Sequence, residues 1–294
     1  MAFPPEFYLI GAQKAATTTL AALLDQQSAV TVSDPKEPQF FTRHWEKGID
    51  WYRGCFAGPE TTVYVDASPG YSMAPTRRFP RAAEETNLVY AAAAARIAAT
   101  NPDARFIYIL RDPAQRIWSA YWHNVRAGWE KRPFREAIET RPGYFRASDY
   151  AGQIENYQQY FDLDRFLFLK FEDFTKNPQA GLDACAAVMH LEFADPPPSA
   201  KSEKKNRSFQ FSGAGQFVRT AFGSEERFKK AVKLGQKILP APLQTALRRT
   251  LTTDIPAFSK EDRAFVAGLF LEANQEATAL TGLDLSDWYT PDQT

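Results

Sequence analysis

The chain has 294 residues, and its 35 Lys and Arg balance its 35 Asp and Glu, so the formal net charge is zero. Hydrophobic residues make up 44% and charged residues 24%, which excludes intrinsic disorder as a description of the whole chain. The zero net charge disfavours a dedicated nucleic-acid-binding protein. The two cysteines, Cys55 and Cys185, are too few for a disulfide scaffold and lack metal-ligand spacing, so we expect buried thiols.

The sequence also contains no obvious membrane or export segment. A spanning helix needs about 20 apolar residues, and the alanine-rich run at 90–95 is followed at once by Arg96. Residues 1–6 lack the basic start and the long apolar run of a secretory signal. We therefore expect a cytoplasmic protein with no membrane partner and no nucleic-acid partner. The sequence leaves the oligomeric state open.

Short apolar runs alternate with helical patterns through the first two thirds of the chain. In chain order the pattern predicts a strand at 7–10, a helix at 17–27, strands at 30–32 and 62–65, a helix at 90–99, a strand at 105–110, helices at 113–126 and 149–161, a strand at 165–171 and a helix at 178–190. Asp112-Pro113 supplies both an N-cap and a proline at the first helical position. This alternation predicts right-handed βαβ units and a three-layer α/β fold with a central parallel sheet.

The pattern changes after Pro196-Pro197-Pro198. A polar, basic stretch at 201–208 leads into helical segments with no clear strand. We interpret 1–294 as one domain, with an α/β core at 1–195 and a basic loop and helical C-terminal extension at 196–294 that packs on the core. A second core is the alternative.

The turn between the first strand and the first helix, residues 11–19, is suited to bind an anion. Backbone N–H groups point outward at the positive end of a helix in such a turn. Lys14 adds a charge, three threonines add hydroxyls, and small residues at 15 and 16 allow close approach. An ordinary turn with an exposed lysine is the alternative. The turn does not match the nucleotide P-loop pattern, because no Gly-Lys-Ser/Thr sequence occurs in the chain.

A second candidate site follows the strand at 105–110. Arg111 ends that strand at its carboxyl edge, where open α/β sheets bind ligands. On the next helix, Arg116, Ser119, His123 and Arg126 recur at helical spacing and form one polar stripe. The stripe is cationic and almost free of acids, which suits a second anionic group. A solvated helix face is the alternative.

Together these residues resemble a known enzyme family. The segment Gln13-Lys14-x-x-Thr17-Thr18-x-Leu20 after a strand, with Arg111 and Ser119 downstream, resembles the sulfotransferases that use 3′-phosphoadenosine 5′-phosphosulfate (PAPS), in their heparan-sulfate-type and bacterial branch. Further segments similar to that branch are Lys36-Glu37-Pro38-Gln39-Phe40-Phe41, Asp66-Ala67-Ser68-Pro69-Gly70-Tyr71, Phe171-Glu172-Asp173 and the ending at 280–288. The resemblance covers most of the chain and implies a P-loop-like fold.

The resemblance assigns roles in donor binding. It implies that Lys14 and the backbone at 15–18 hold the 5′-phosphosulfate, and that Arg111 and Ser119 hold the 3′-phosphate. A basic loop over the same phosphate would include Asn206 where the family often has glycine. The full set of implied donor-binding residues is Gln13, Lys14, Ala15, Ala16, Thr17, Thr18, Thr19, Arg111, Ser119, Lys205, Asn206 and Arg207.

The implied reaction is in-line transfer of a sulfuryl group to an acceptor hydroxyl or amine, with 3′,5′-adenosine bisphosphate (PAP) as product. Lys14 would stabilise the charge that develops on the leaving oxygen. Glu37 is the first candidate for the general base, because the resembling branch uses the glutamate of that motif, and His123 is the second. No metal is required if Lys14, Arg111 and helix N–H groups hold the donor.

Two departures from the family pattern concern the acceptor. Gln39 stands where the heparan-type motif often has histidine, and Ala67 stands where a basic residue is common. Both changes remove groups that help hold an acidic polysaccharide, so we expect a small-molecule acceptor. Two other functions stay open, namely an ATP- or GTP-dependent phosphotransferase of P-loop-like fold and a non-catalytic nucleotide-binding module. The missing Gly-Lys-Ser/Thr sequence, together with the pair Arg111 and Ser119, counts against the phosphotransferase. The presence of Lys14 and Glu37 counts against the non-catalytic module.

Overall fold

The structure is a computed structural model that describes residues 3–57, 63–80, 89–193, 209–223 and 225–289. The predicted loop residues Lys205, Asn206 and Arg207 therefore lie outside the described residues. The strands are β1 (Phe7–Gly11), β2 (Val30–Val32), β3 (Val63–Asp66), β4 (Arg105–Leu110), β5 (Phe166–Lys170), β6 (Phe209–Phe211) and β7 (Thr252–Asp254).

The helices are α1 (Thr17–Leu24), α2 (Gly48–Arg53), α3 (Ala93–Thr100), α4 (Pro113–Ala127), α5 (Phe134–Thr140), α6 (Gly143–Arg146), α7 (Tyr150–Gln158), α8 (Phe171–Lys176), α9 (Pro178–Met189), α10 (Gly213–Ala221), α11 (Glu225–Ile238), α12 (Ala241–Leu251), α13 (Lys260–Leu269) and α14 (Leu271–Thr281). No helix in the described ranges combines the length and the apolar character that a membrane crossing requires.

Five parallel strands form the central sheet in the order β2-β3-β1-β4-β5. This sheet and its flanking helices confirm the predicted α/β fold. All five residues of β1 are buried, because apolar strands at the centre of a parallel sheet are covered on both faces. β1 pairs with β4, and the Ala12 N–H donates to the Ile109 carbonyl at 2.8 Å. The carboxyl ends of these two strands therefore bring the two candidate sites together.

Local signals account for the start of α4. The Asp112 side chain accepts a hydrogen bond from the Ala114 N–H at 2.9 Å, and Pro113 begins the helix. The helix ends at Gly128, whose φ of 76° lies in the left-handed region that favours glycine. Arg116, in the first turns of α4, donates to the Gln13 carbonyl at 3.4 Å, so this part of the helix lies next to the loop that follows β1.

The structure differs from the predicted elements in several places, and the helices α2, α5, α6 and α8 were not predicted. Phe171 does not end a strand but begins α8, since β5 stops at Lys170. The C-terminal extension is not wholly helical, because β6 and β7 pair antiparallel, with Phe209 opposite Asp254 and Phe211 opposite Thr252. A three-residue strand carries little local signal, and its pairing partner here lies about 40 residues away.

The C-terminal helices pack on the α/β part of the chain. α13 contacts α4, and α14 contacts α7. Val266 and Phe270 lie in one apolar cluster with Ile117 and Tyr121 of α4. The predicted buried, unpaired thiols are confirmed, since both cysteines are free and buried.

Candidate active site

The loop after β1 has an unusual backbone. Lys14 and Ala16 adopt φ angles of 71° and 61°, in the left-handed region that non-glycine residues rarely occupy. Between them, the Ala15 N–H donates to the Ala12 carbonyl at 3.0 Å and closes a tight turn. Residues in such conformations cluster at ligand sites, where the surrounding structure holds them.

The N-terminus of α1 follows directly and has no side-chain cap from the residues that the structure describes. Ala16 occupies the N-cap position, and no side chain accepts a hydrogen bond there. The first turn also contains no acidic residue. The first N–H groups of any helix lack intrahelical acceptors and carry positive partial charge, so this end of α1 is suited to an anion. Thr18 and Thr19 are exposed at this end, whereas Thr17 is buried.

Lys14 lies among other cations. Burial, together with the positive charges of Arg126, Arg111 and Arg116, lowers the pKa of Lys14 to about 8. Glu37 opposes this shift and is the acid that acts on the amine. The positive charges of three arginines thus act on Lys14, while Glu37 acts on Lys14 in the opposite direction. The carboxylates of Glu172 and Asp112 likewise oppose the lowered pKa of Arg111. Such an arrangement is electrostatically incomplete and would be stabilised by a bound polyanion.

Arg111 is fixed beside this loop. Its guanidinium donates to the Lys14 carbonyl at 2.7 Å and lies over the Phe171 ring at 4.3 Å. Its N–H donates to the Tyr150 hydroxyl, which in turn donates to the Arg111 carbonyl at 2.6 Å. Burial lowers the pKa of Arg111, and Glu172 opposes the shift. The Nε of Arg111 is buried and has no hydrogen-bond partner among the described residues, so it has a donor to offer.

Arg116 does not lie on a solvated helix face, which was the alternative interpretation of the polar stripe. Its side chain is fully buried, and burial lowers the pKa of its guanidinium to about 10. It donates to the Ser148 hydroxyl, to the Tyr144 carbonyl and, at 3.4 Å, to the Gln13 carbonyl. Arg116 thereby ties the loop after β1 to the segment around α6. It is a positioning residue of the loop.

The next two members of the stripe contact each other. The guanidinium of Arg126 donates to Nδ1 of His123 at 3.2 Å. Arginine offers only donors, so Nδ1 is the unprotonated nitrogen and the ring hydrogen is on Nε2. In this tautomer Nε2 of His123 carries the ring hydrogen and can donate, whereas Nδ1 already accepts from Arg126. Ser119 is half-buried one turn earlier on the same face of α4.

Glu37 lies in a segment held against the end of β3. Its carboxylate pairs with Lys36 at 2.8 Å and is 40% exposed. The Lys36 amine also donates to the Ala67 carbonyl at 3.4 Å. The Gln39 N–H donates to the Ser68 hydroxyl at 3.1 Å. These contacts place Glu37 at the edge of the site, within electrostatic reach of Lys14.

A buried carboxylate anchors that segment. Asp66 is fully buried and accepts hydrogen bonds from Ser68, Tyr52 and Tyr71 at 2.6, 2.7 and 2.8 Å. Burial raises the pKa of Asp66 to about 6, and the three hydrogen bonds limit the rise. The Tyr71 hydroxyl also accepts from the Phe41 N–H at 3.3 Å. Asp66 therefore fixes the loop that carries Glu37 through its own hydrogen-bond partners.

Sequence reasoning missed part of this arrangement. It placed Arg126 on the stripe without a role, and it treated Asp66 only as the start of a motif. Asp66 directly follows the apolar run Val63-Tyr64-Val65, and this position was the available signal. An acid at the end of a buried strand needs hydrogen-bond partners, because acids are rarely fully buried without them. The Arg111 N–H donates to the Tyr150 hydroxyl, and the Asp112 N–H donates to the Glu172 carboxylate. The sequence did not indicate either contact.

Comparison with known proteins gives one family and a consistent fold. The family model described as "Sulfotransferase domain" matches residues 4–231. The chain is 26% identical over 185 residues to heparan sulfate glucosamine 3-O-sulfotransferase 6 of Mus musculus, with 59% of this chain and 48% of that protein covered. It is 28% identical over 196 residues to the bifunctional heparan sulfate N-deacetylase/N-sulfotransferase 1 of Xenopus laevis, with 56% and 20% covered.

The chain thus spans about half the length, or less, of these curated relatives. Among solved structures, the sulfotransferase from Alicyclobacillus acidocaldarius is similar over 98% of this chain and 100% of its own, with a TM-score of 0.66 and 19% identity. At this identity the likeness establishes a shared fold.

Proposed function

The chain belongs to the sulfotransferase domain family, and on this premise we propose that it transfers a sulfuryl group from PAPS to the hydroxyl or amine of an acceptor. The observation that carries the proposal is that the charges of Arg126, Arg111 and Arg116 act on Lys14, which lies in the loop directly before α1. Several positive charges close to one loop suit a donor that has anionic groups at both its 5′ and 3′ positions.

The two ends of the donor would contact different parts of the site. The 5′-phosphosulfate would accept hydrogen bonds from the N–H groups at the start of α1 and from Lys14, with Thr18 and Thr19 exposed beside it. The 3′-phosphate would accept from Arg111, whose buried Nε is unpartnered in the described residues, and from Ser119. Gln13, Ala15, Ala16 and Thr17 complete the proposed loop, and the loop residues Lys205, Asn206 and Arg207 belong to the proposal from sequence alone.

Transfer would proceed by in-line displacement at sulfur. The acceptor oxygen or nitrogen forms a bond to sulfur while the bond from sulfur to the bridging oxygen breaks, and that electron pair leaves with PAP. Lys14 is suited to stabilise the negative charge on the leaving oxygen. Glu37 is suited to take the acceptor proton, because its carboxylate is partly exposed, whereas Nδ1 of His123 is occupied by Arg126. His123 would then donate from Nε2 to the transferring group.

We propose a small-molecule acceptor and a cytoplasmic protein. Gln39 and Ala67 lack the charges that would hold an acidic polysaccharide. The curated relatives named above act, by their names, on heparan sulfate, so the acceptor class is the point at which this chain would depart from them.

The donor proposal can be tested by calorimetric titration with PAP, ATP and GTP, each without and with Mg²⁺. We expect metal-independent binding of PAP that Arg111→Ala weakens. The exposed Arg53, on α2, provides the control variant Arg53→Ala, which should bind as the wild type does. A preference for ATP or GTP with Mg²⁺ would instead support a phosphotransferase, and binding of none would support a non-catalytic fold.

Activity is tested separately by transfer of radiolabelled sulfate from PAPS to a panel of phenols, alcohols and amines. Lys14→Ala should abolish transfer. A Lys14→Ala variant that transfers sulfate as well as the wild type would contradict the mechanism, even if PAP binds.

A further inference from the structure

Residues 209–254 contain an unusual concentration of exposed apolar side chains. Of the twelve large hydrophobic side chains that are exposed in the described ranges, seven lie in this segment. They are Phe217, Phe222, Val232, Leu234, Ile238, Leu243 and Leu247. Phe217 is 77% exposed and Ile238 is 68% exposed. Single exposed hydrophobics are ordinary, but a concentration of them in one segment marks an interaction surface.

The same segment is strongly basic, although the whole chain is neutral. Residues 225–251 contain seven Lys or Arg and two Glu, a net charge of +5, whereas the 294 residues together have a net charge of zero. Among the basic residues, Lys230 on α11 and Arg249 on α12 are exposed. The segment therefore combines exposed hydrophobic side chains with excess positive charge.

The ends of the segment meet beside the candidate active site. β6 and β7 pair with each other, so α10, α11 and α12 form an insertion whose two ends lie together. β6 packs against α4. Arg219 of α10 donates to the carbonyls of Arg126, at 2.8 Å, and of Ala127, at the end of α4. Only the first part of α11 falls inside the residues that the family model matches, which end at 231.

We propose that α10, α11 and α12 bind the surface of an anionic lipid bilayer, lying in the interface without crossing it. Helices that do so combine Lys and Arg for the headgroups with Leu, Ile and Phe for the acyl boundary. The sequence analysis expected no membrane partner because no segment could span a bilayer, but a helix that lies in the interface needs no spanning segment. The inference stands independently of the proposed sulfuryl transfer.

The net positive charge of the segment and the exposure of its apolar side chains together favour a lipid surface over other binding partners. An acidic protein or glycan would match the net charge of +5 but leave the exposed Leu234 and Ile238 in water. A second copy of the chain would cover those side chains but bring two such basic segments together, and like charges in contact are unfavourable. An anionic bilayer satisfies both features at once. Because α10 is attached to α4, binding would hold His123 and Arg126 close to the headgroups.

The experiment is co-sedimentation of the full chain with vesicles of phosphatidylcholine alone and of phosphatidylcholine and phosphatidylglycerol in equal amounts. We expect binding to the anionic vesicles only. Each basic residue at an anionic surface contributes about fivefold to partitioning, and salt screens that attraction. The charge variant Lys230→Glu with Arg249→Glu should therefore bind more than about tenfold more weakly, and high salt should weaken wild-type binding similarly.

The apolar contribution is tested with Leu234→Glu and Ile238→Glu combined, at positions whose exposure leaves the fold intact. We expect this variant to lose vesicle binding and keep PAP binding. The matched controls are Leu269→Glu and Lys260→Glu, exposed positions on α13 that should bind vesicles as the wild type does. The proposal is overturned if the wild type does not sediment with anionic vesicles, or if the Leu234 and Ile238 variant still does. It is also overturned if the wild type is a dimer that this variant dissociates.

Discussion

The protonation of Lys14 should control how tightly the site binds PAP. In the ligand-free protein, burial and the charges of Arg126, Arg111 and Arg116 lower the pKa of Lys14 to about 8. An anionic ligand favours the charged amine, so binding and deprotonation oppose each other. Affinity for PAP should therefore fall as the pH rises through about 8.

The size of the effect follows from the same pKa. With a pKa of about 8, Lys14 is about 90% protonated at about pH 7 and about 10% protonated at about pH 9. If only the charged form binds, the apparent Kd rises about tenfold over this interval. Near pH 8, binding should take up about half a proton. The phosphates of PAP lose their last protons near pH 6, so they contribute little to this change.

The assay is calorimetric titration of PAP across this pH range, in two buffers of different ionisation enthalpy to count protons. Lys14→Arg is the matched control, since a guanidinium stays charged throughout and its affinity profile should be flat. An unchanged wild-type Kd would refute the reasoning. An equal loss of affinity in Lys14→Arg would also refute it, because another group would then be responsible.

Other variants test the remaining parts of the site. Glu37→Gln should lower kcat by about 10²- to 10⁴-fold in steady-state kinetics, with little change in PAP affinity. If His123→Ala lowers kcat more than Glu37→Gln does, His123 and not Glu37 is the general base. Asp66→Asn should lower kcat by about tenfold or more without changing PAP affinity, because the loop that carries Glu37 loses its anchor. Equal losses of kcat and of PAP affinity would indicate general unfolding instead. Arg126→Ala removes the largest repulsive charge on Lys14, so the fall in PAP affinity should move to higher pH, and an unmoved profile would disprove that coupling. Lys14→Met should raise the melting temperature of the free protein at neutral pH, because the native state binds the Lys14 proton less tightly than the unfolded chain does. This gain in melting temperature should shrink as the pH rises from about 8 to about 10. A lower melting temperature of the variant at neutral pH would count against the lowered pKa.

Much of the fold could be predicted because its signals are local. The apolar run Arg105–Leu110 has the same bounds in the structure as in the prediction, and Asp112-Pro113 begins α4 as its cap chemistry requires. The turn after β1 was predicted from residue types to bind an anion, and this binding stays a prediction. Short elements such as β6 and α6 were missed, because three or four residues carry too little periodicity to stand out.

The sequence supplied candidate members of the site, which stay a prediction, but it could not supply the electrostatics of the site. The sequence by itself determined the order of strands and helices, the turn at 11–19 and the set of cations near it, since these depend on periodicity, capping and residue type. Only the tertiary structure decided that Arg116 is buried, that Asp66 anchors the Glu37 loop and that the pKa of Lys14 falls to about 8. Each of these depends on how much water and which charges surround a group, and its neighbours come from distant parts of the chain.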